Sequence, residues 1–278
     1  MIVTAVLAIR NEEAYLANCL RHLVRNGLHF AIIDNGSSDG SAAIYRRRKF
    51  APYLVEVREL PFSGAFSLSD QLACKMALIE SLATDWVVHV DADEEMHSRR
   101  PGESLADALA RCASAGYNVV DFDEFVFLPI DHDYVPDAAE CQPMTLYYYF
   151  RPHAPRLMRA WDKSSGLSMI EHGGHVLVGD EVRLASERFV LRHYPFRSQA
   201  HAHMKYTTRT FSKNELTRGW HRARAGKMVN AFDFPPASML QRLADPRDHE
   251  LDDSKPWTKH YWDVPSEPQR ARPERTPL

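Results

Sequence analysis

The run Asp91-Ala92-Asp93-Glu94-Glu95 places four carboxylates within five residues, directly after the apolar stretch Trp86-Val87-Val88-His89-Val90. Such a short, nearly continuous apolar stretch reads as a strand buried on both faces of a parallel sheet. The carboxylates then emerge at its C-terminal end, the edge at which open α/β sheets bind ligands. Two carboxylates one residue apart suit a hard divalent cation, which takes oxygen ligands and bridges to phosphates. The tripeptide by itself is not selective, because Asp121-Phe122-Asp123 and Asp131-His132-Asp133 repeat it. Only the strand context singles out the first copy.

The elements that must position these carboxylates follow from periodicity. Residues 2–9 read as a first strand. Asn11 is placed to cap a helix with apolar positions at Leu16, Leu20 and Leu23, and Gly27 ends it. Residues 30–33 form a second strand. It runs into Asp34-Asn35-Gly36-Ser37-Ser38-Asp39-Gly40-Ser41, a turn-rich loop that opens a helix near Ala42. Residues 53–57 are a third strand and 86–90 a fourth. Leu68, Leu72, Met76 and Ile79 mark one face of the helix between them. A further helix over 104–115 and a strand over 117–127 continue the alternation, which implies a layered, mostly parallel α/β sheet. The Asp34 and Asp91 loops then share one sheet edge. A nucleotide lying across that edge would set its base near the first loop and its phosphates near the second, where a cation neutralises a departing diphosphate.

Beyond Pro129 the alternation fades. Short strands are expected around 147–150, 156–158 and 188–192, a basic helix over 200–225, and a disordered tail over 265–278. The chain is read as one domain over 1–230, with a nucleotide-binding half at 1–130 and an acceptor half at 131–230, followed by a C-terminal extension at 231–278. With 26% charged residues and a net charge of -3, composition gives no argument for nucleic-acid binding. The four cysteines are scattered and form no C-x-x-C pair, which excludes a dense disulfide framework and a zinc ribbon and favours reduced, cytosolic thiols. Arg10-Asn11-Glu12-Glu13 ends the opening apolar run at once, as expected of a strand and not of a signal peptide. The expected location is the cytoplasm.

Arg10-Asn11-Glu12-Glu13, Gly27, the Ile32–Ser41 segment and Val90-Asp91-Ala92-Asp93-Glu94 together resemble the family 2 glycosyltransferases, and most closely a bacterial branch with an N-E start and a D-N-G-S-x-D loop. The resemblance covers about residues 1–130. It implies a GT-A fold, Rossmann-like with a mostly parallel sheet flanked by helices and an irregular acceptor part. It also implies a nucleotide-sugar donor (a UDP-sugar first), Mn2+ or Mg2+, a glycan or lipid-linked acceptor in cell-surface glycan synthesis, and inversion at the anomeric carbon. By the same resemblance Asp34 would contact the nucleobase, with Arg10 and Asn35 beside the donor. Asp91 and Asp93 would take the D-x-D role, Asp93 being the direct metal ligand. Gln71 or Lys75, on the helix before the D-x-D strand, would approach ribose or phosphate, and His193 would complete the metal shell. An inverting enzyme needs a base for the acceptor hydroxyl. Glu171, in Met169-Ile170-Glu171-His172-Gly173-Gly174-His175, is the candidate and Asp180 the second, the glycines letting backbone approach a ligand.

Blander readings stand beside these. Asp34 to Ser41 is also a good turn and helix cap. Glu94 and Glu95 sit where a helix could start, where acid is favourable regardless. Zinc at His193, His201 and His203 is disfavoured because an i, i+2 pair does not share a helix face. Seven Lys or Arg residues from Lys205 to Lys227 form a stripe that is either a solvated helix face or a contact for a diphosphate, an anionic acceptor or a membrane surface; Arg197 could also reach a phosphate. The alternatives are a nucleotidyltransferase, disfavoured by the lack of an early Gly-rich phosphate loop, and a non-catalytic sugar-nucleotide or glycan-binding protein.

Overall fold

A computed structural model describes residues 1–130, 144–220, 225, 227–246 and 248–263. In chain order the elements are β1 (Val3–Ile9), α1 (Glu13–Arg25), β2 (His29–Asp34), α2 (Ser41–Tyr45), β3 (Leu54–Glu59), α3 (Leu68–Ser81), β4 (Trp86–His89), β5 (Glu94–His97), α4 (Leu105–Ser114), β6 (Val119–Phe127), β7 (Leu146–Phe150), β8 (Met158–Asp162), β9 (Phe189–His193), α5 (Gln199–Thr207), α6 (Lys213–Thr217) and β10 (Gln241–Arg242).

The apolar residues of β1 and β2 sort to two faces, and each face takes a helix. Leu16, Leu20 and Leu23 of α1 pack with Ala5, Leu7, Phe30 and Ile32. On the other side Leu72, Leu78 and Ile79 of α3 pack with Val6, Ala31 and Ile33. Each such fully buried Leu or Ile contributes roughly 1.5–3 kcal/mol. Helix α1 stops as expected. Gly27 takes φ +78, and Leu28 N–H closes back on the Leu23 carbonyl at 3.0 Å. Its start differs from expectation. Asn11 is not the cap but sits at φ +56, with Glu12 in the cap position and no side-chain cap bond. The Asn11 amide oxygen instead accepts from Ser38 N–H at 2.8 Å, which ties the loop after β1 to the loop after β2.

Strands β4, β1, β2 and β3 run parallel in that order. Asp34 at the end of β2 and Asp91 just past β4 therefore leave the sheet at the same edge, as expected. Past β4 the sheet changes character. Strand β8 inserts antiparallel between β4 and β6. Strand β6 pairs antiparallel with β7 and parallel with β9. A second sheet-edge structure was not anticipated: Glu94 and Glu95 begin a strand, β5, antiparallel to β9, and not a helix. The expected basic helix is also divided. Helices α5 and α6 are separate, with Ser212 capping α6 by accepting from Glu215 N–H, and Phe66 N–H bonds the Thr210 carbonyl at 2.8 Å between them. The basic side chains consequently disperse. Lys205 turns inward to Asp93, Arg209 lies over the Phe66 ring and Arg218 over Trp220. Arg222 and Arg224 lie outside the described residues, as do Asp131 to Asp133 and the expected 265–278 tail. Among the described residues no helix is long and apolar enough to cross a membrane.

Candidate active site

A cleft of about 1210 Å3 opens at the C-terminal edge of the parallel strands. Its walls include Arg10 and Glu12 after β1, Gln71 and Lys75 from α3, and Asp91 and Asp93 after β4. Lys205 and Arg209 close it from the far part of the chain.

The turn from Asp91 to Glu94 is held from within. Asp91 N–H donates to Glu94 Oε2 at 3.0 Å, and Glu94 N–H to the Asp91 carbonyl at 3.1 Å. Asp91 itself reaches into the cleft with its side chain 48% exposed. Two cations and one imidazole stand 3.7–3.8 Å from it: Lys75 Nζ, Arg159 Nη2 and His89 Nε2. Arg159 also donates to Glu94 Oε1 at 3.0 Å and to the His89 ring at 3.0 Å. Burial pushes the Glu94 carboxyl up to about 7 against the pull of Arg159. Burial likewise lowers Lys75 to about 8, opposed by Asp91, and takes His89 well below its ordinary value, so His89 is neutral.

Asp93 is different. It is nearly buried and accepts from Lys205 Nζ at 2.9 Å, while His193 Nε2 lies 3.7 Å away. Burial would raise its carboxyl; Lys205 and His193 outweigh that and hold it well below the usual carboxylate range. His193 Nδ1 donates to Glu124 Oε1 at 2.7 Å, and Glu124 is in turn bonded by Arg156. Burial would lower the imidazole; Asp93 and Glu124 push it up to about 10. A carboxylate holding one imidazole nitrogen so that the other points at an acidic side chain is the arrangement that orients metal-ligating histidines. The donor chemistry of Asp91, Asp93 and His193 thus fits Mn2+ or Mg2+, with the Lys205 ammonium now lying against Asp93 where a cation's charge would go.

The Asp34 loop is built on its own contacts. Asp34 Oδ1 accepts from Ser37 N–H at 2.8 Å and Oδ2 from Tyr45 Oη–H at 3.1 Å. Asp34 is buried and is not part of the cleft wall, nor is Asn35. Asn35 donates to the Leu60 carbonyl at 2.9 Å, and Arg10, stacked on Phe62, donates to the Asn35 and Gly36 carbonyls. Arg10 and Phe62 themselves face the cleft. Glu171 and Asp180 are both exposed and neither lines the cleft, although His172, Gly173 and His175 do. The glycines beside Glu171 serve protein packing: Gly174 has φ +80, and a Cβ there would stand 2.5 Å from His89 Cε1. The zinc trio disfavoured from the sequence does not assemble either, since His201 accepts from Arg197 N–H and His203 pairs with Asp233.

Sequence reasoning missed Arg159, Glu124, His89 and Glu12. The first three carry a usable signal, a charged or titratable residue inside an apolar strand, which must find a buried partner. Asp121 and Asp123 show the alternative outcome. Asp121 accepts from Arg156 and Leu157 N–H, and Asp123 pairs with Arg99, Arg188 and Tyr149, so that copy of the tripeptide is spent on β6 and its neighbours.

Residues 4–133 match the family model described as Glycosyl transferase family 2. A curated relative, the lipopolysaccharide core biosynthesis glycosyltransferase LpsC of Rhizobium meliloti, is 31% identical over 108 residues, which is 39% of this chain and 37% of that protein. The two findings support the family 2 glycosyltransferase assignment for the N-terminal half, and the α/β architecture described above agrees with it. The chain spans a little over a third of the length of that relative. Among solved structures, S. aureus TarS aligns at 13% identity with a TM-score of 0.45, over 83% of this chain and 47% of its own. A mannosyltransferase, PcManGT of Pyrobaculum calidifontis, solved with GDP-Man and Mn2+, aligns at 18% identity with a TM-score of 0.40, over 85% and 73%. These two likenesses are too distant to carry an argument about chemistry.

Proposed function

We propose that this protein is a metal-dependent glycosyltransferase that moves a sugar from a nucleotide-sugar donor to an acceptor hydroxyl with inversion. The observation that carries this reading is that Asp91 and Asp93, inside the segment that matches family 2, line the cleft together with His193, whose Nε2 lies 3.7 Å from Asp93. Asp91 and Asp93 would hold Mn2+ or Mg2+, with His193 completing the shell once it loses its proton. The ion would supply Lewis-acid stabilisation to the departing diphosphate. Lys75, Arg159, Lys205 and Arg209 add fixed positive charge to the same wall, which favours a diphosphate in a site of low dielectric. Arg10 and Phe62 bound the end near the Asp34 loop and form the surface for the base, with Asp34 and Asn35 shaping that loop from behind. A UDP-sugar donor and a cell-surface glycan or lipid-linked acceptor complete the proposal, in keeping with what the rhizobial relative is named for.

For the base, Glu12 takes the place of Glu171. Glu12 is in the cleft wall, and among the described residues its carboxylate makes no hydrogen bond or ion pair. Burial first and Asp93 second push it up to about 7, where a general base exchanges protons at neutral pH. Glu12→Gln should lower kcat with donor affinity kept. Weakened donor binding with unchanged kcat would make Glu12 a binding residue instead.

The test of the main reading is turnover of labelled nucleotide sugars before and after chelation by EDTA, with Mn2+ then restored. Activity should vanish and return. One observation favours a second reading: the 2.9 Å Lys205–Asp93 pair already supplies a cation at the site. Turnover untouched by EDTA but abolished in Lys205→Met would establish a metal-independent transferase.

A further inference from the structure

On the opposite face of β5 from the cleft, three side chains converge that play no part in the reading above. Glu95 and His97 are two residues apart on one strand and so project to the same side, away from Glu94 and Met96. His22 of α1 meets them. Its Nε2 lies 3.1 Å from the Met96 N–H and 2.8 Å from the Met96 carbonyl, which fixes the ring against β5. The His22 and His97 rings stand 4.6 Å apart, and the His249 ring lies 5.5 Å from His97. Donor atoms of His22, Glu95 and His97 all fall within 4.8 Å of one another, and this is the one such group of His, Cys, Asp or Glu among the described residues. His97 Nε2 is buried with no hydrogen-bond partner, and Glu95 Oε2 is 3.7 Å from it, beyond bonding range. A buried polar atom without a hydrogen bond calls for an explanation, and a bound ion is one.

We propose that His22, Glu95 and His97 bind a Zn2+ ion. Two imidazoles and one carboxylate form a borderline donor set that suits Zn2+, whereas Mg2+ and Mn2+ favour oxygen ligands such as those at Asp91 and Asp93. The fourth position would fall to water or to His249, whose ring lies 5.5 Å from that of His97 but outside the group. The ion would clip α1 to β5 and draw in the chain around Asp248, whose carbonyl and that of Pro246 already take the Arg192 guanidinium. Strand β5 begins with Glu94, which holds Arg159 and the Asp91 N–H, so the clip would brace the cleft from behind without touching a ligand there.

The experiment is calorimetric titration of the chelator-stripped full chain with Zn2+, paired with Co2+ visible absorption and thermal unfolding. Wild type and Asp91→Asn should each bind one Zn2+ tightly, show Co2+ bands of a four-coordinate site and unfold at higher temperature with Zn2+. His97→Gln and Glu95→Gln should bind at least tenfold more weakly and lose the Zn2+-dependent shift in Tm, while circular dichroism reports an intact fold. His22→Gln provides a third variant if either fails to fold. No saturable binding by the wild type would overturn the site. So would binding that survives both β5 substitutions, or binding lost in Asp91→Asn and kept in His97→Gln.

Discussion

The two loops that leave the same sheet edge are stabilised in opposite ways. The loop from Asp34 to Ser41 is bonded almost wholly to near neighbours and to the β1 loop. Asp34 holds Ser37 and Tyr45, Asp39 accepts from Ser41 and Glu13 N–H, and Asn11 accepts from Ser38. The turn from Asp91 to Glu94 is bonded to partners far along the chain. Arg159 reaches Glu94, Lys205 reaches Asp93, and Glu124 reaches His193, which faces Asp93. The first loop is a self-contained scaffold. The second is a charged cluster that exists only when β8, β9 and α5 have docked, and its exposed member, Asp91, is the one left open to a ligand.

The sharpest way to break this contrast is Arg159→Ala. Glu94 would be left buried and ionisable without its partner, so we expect a loss of about 3–5 kcal/mol in denaturant unfolding. A loss below 1 kcal/mol would mean that the cluster tolerates an empty position and is not a unit. Asp91→Asn comes next. Because Asp91 is half exposed and its nearest cations are beyond hydrogen-bond distance, the stability loss should be smaller than for Arg159→Ala even though Lys75 loses its partner, while turnover falls by about 100-fold or more. Retained turnover would remove Asp91 from the chemistry. Asp93→Ala is the poorer probe, because it strands Lys205 and confounds activity with folding.

Within the scaffold loop, Tyr45→Phe removes one neutral-to-charged hydrogen bond to Asp34. Its expected cost is about 1–2 kcal/mol, read by thermal unfolding, with donor affinity little changed. A large fall in donor affinity would show that the first loop is also part of the binding surface. The smallest effect is a control remote from both loops. Arg111 lies 2.9 Å from Glu103, and its hydrogen bonds hold that carboxyl down at about 2. A depressed acid stabilises the fold above its unfolded pKa and loses that contribution as pH falls through its folded pKa. Glu103→Gln should therefore be about 1 kcal/mol less stable than wild type at pH 7, and the gap should close between about pH 4.5 and 2. A gap independent of pH would assign the effect to packing.

The alternation of strand and helix to residue 127 was legible because its cause is local. Leu16, Leu20 and Leu23 recur at helical spacing, and 86–90 is apolar throughout. Departures came where a residue's partner is distant. Asn11 reads as a helix cap from its neighbours, yet Ser38 claims its side chain. The 200–225 segment reads as one basic helix, yet Phe66 pairs with its middle and Asp93 takes its first lysine. Glu171 reads as a loop carboxylate facing a ligand, yet Gly174 turns against His89 and leaves Glu171 in solvent.

By itself, the sequence determined that two acidic loops follow two strands, that those strands run parallel in one sheet, and that the loops therefore share an edge. Period-2 and period-3.6 burial need only the identities of nearby residues. Only the tertiary structure decided which acids are spent and which are open. Asp34, Asp121 and Asp123 are consumed by internal donors, Asp93 is held by Lys205, and Asp91 is left facing the cleft. Apart from Asp34, whose donors Ser37 and Tyr45 lie 3 and 11 positions away, those outcomes depend on partners brought together across 24 to 112 positions of chain. A buried charge must find a partner wherever the fold supplies one, and spacing along the chain does not say where that is.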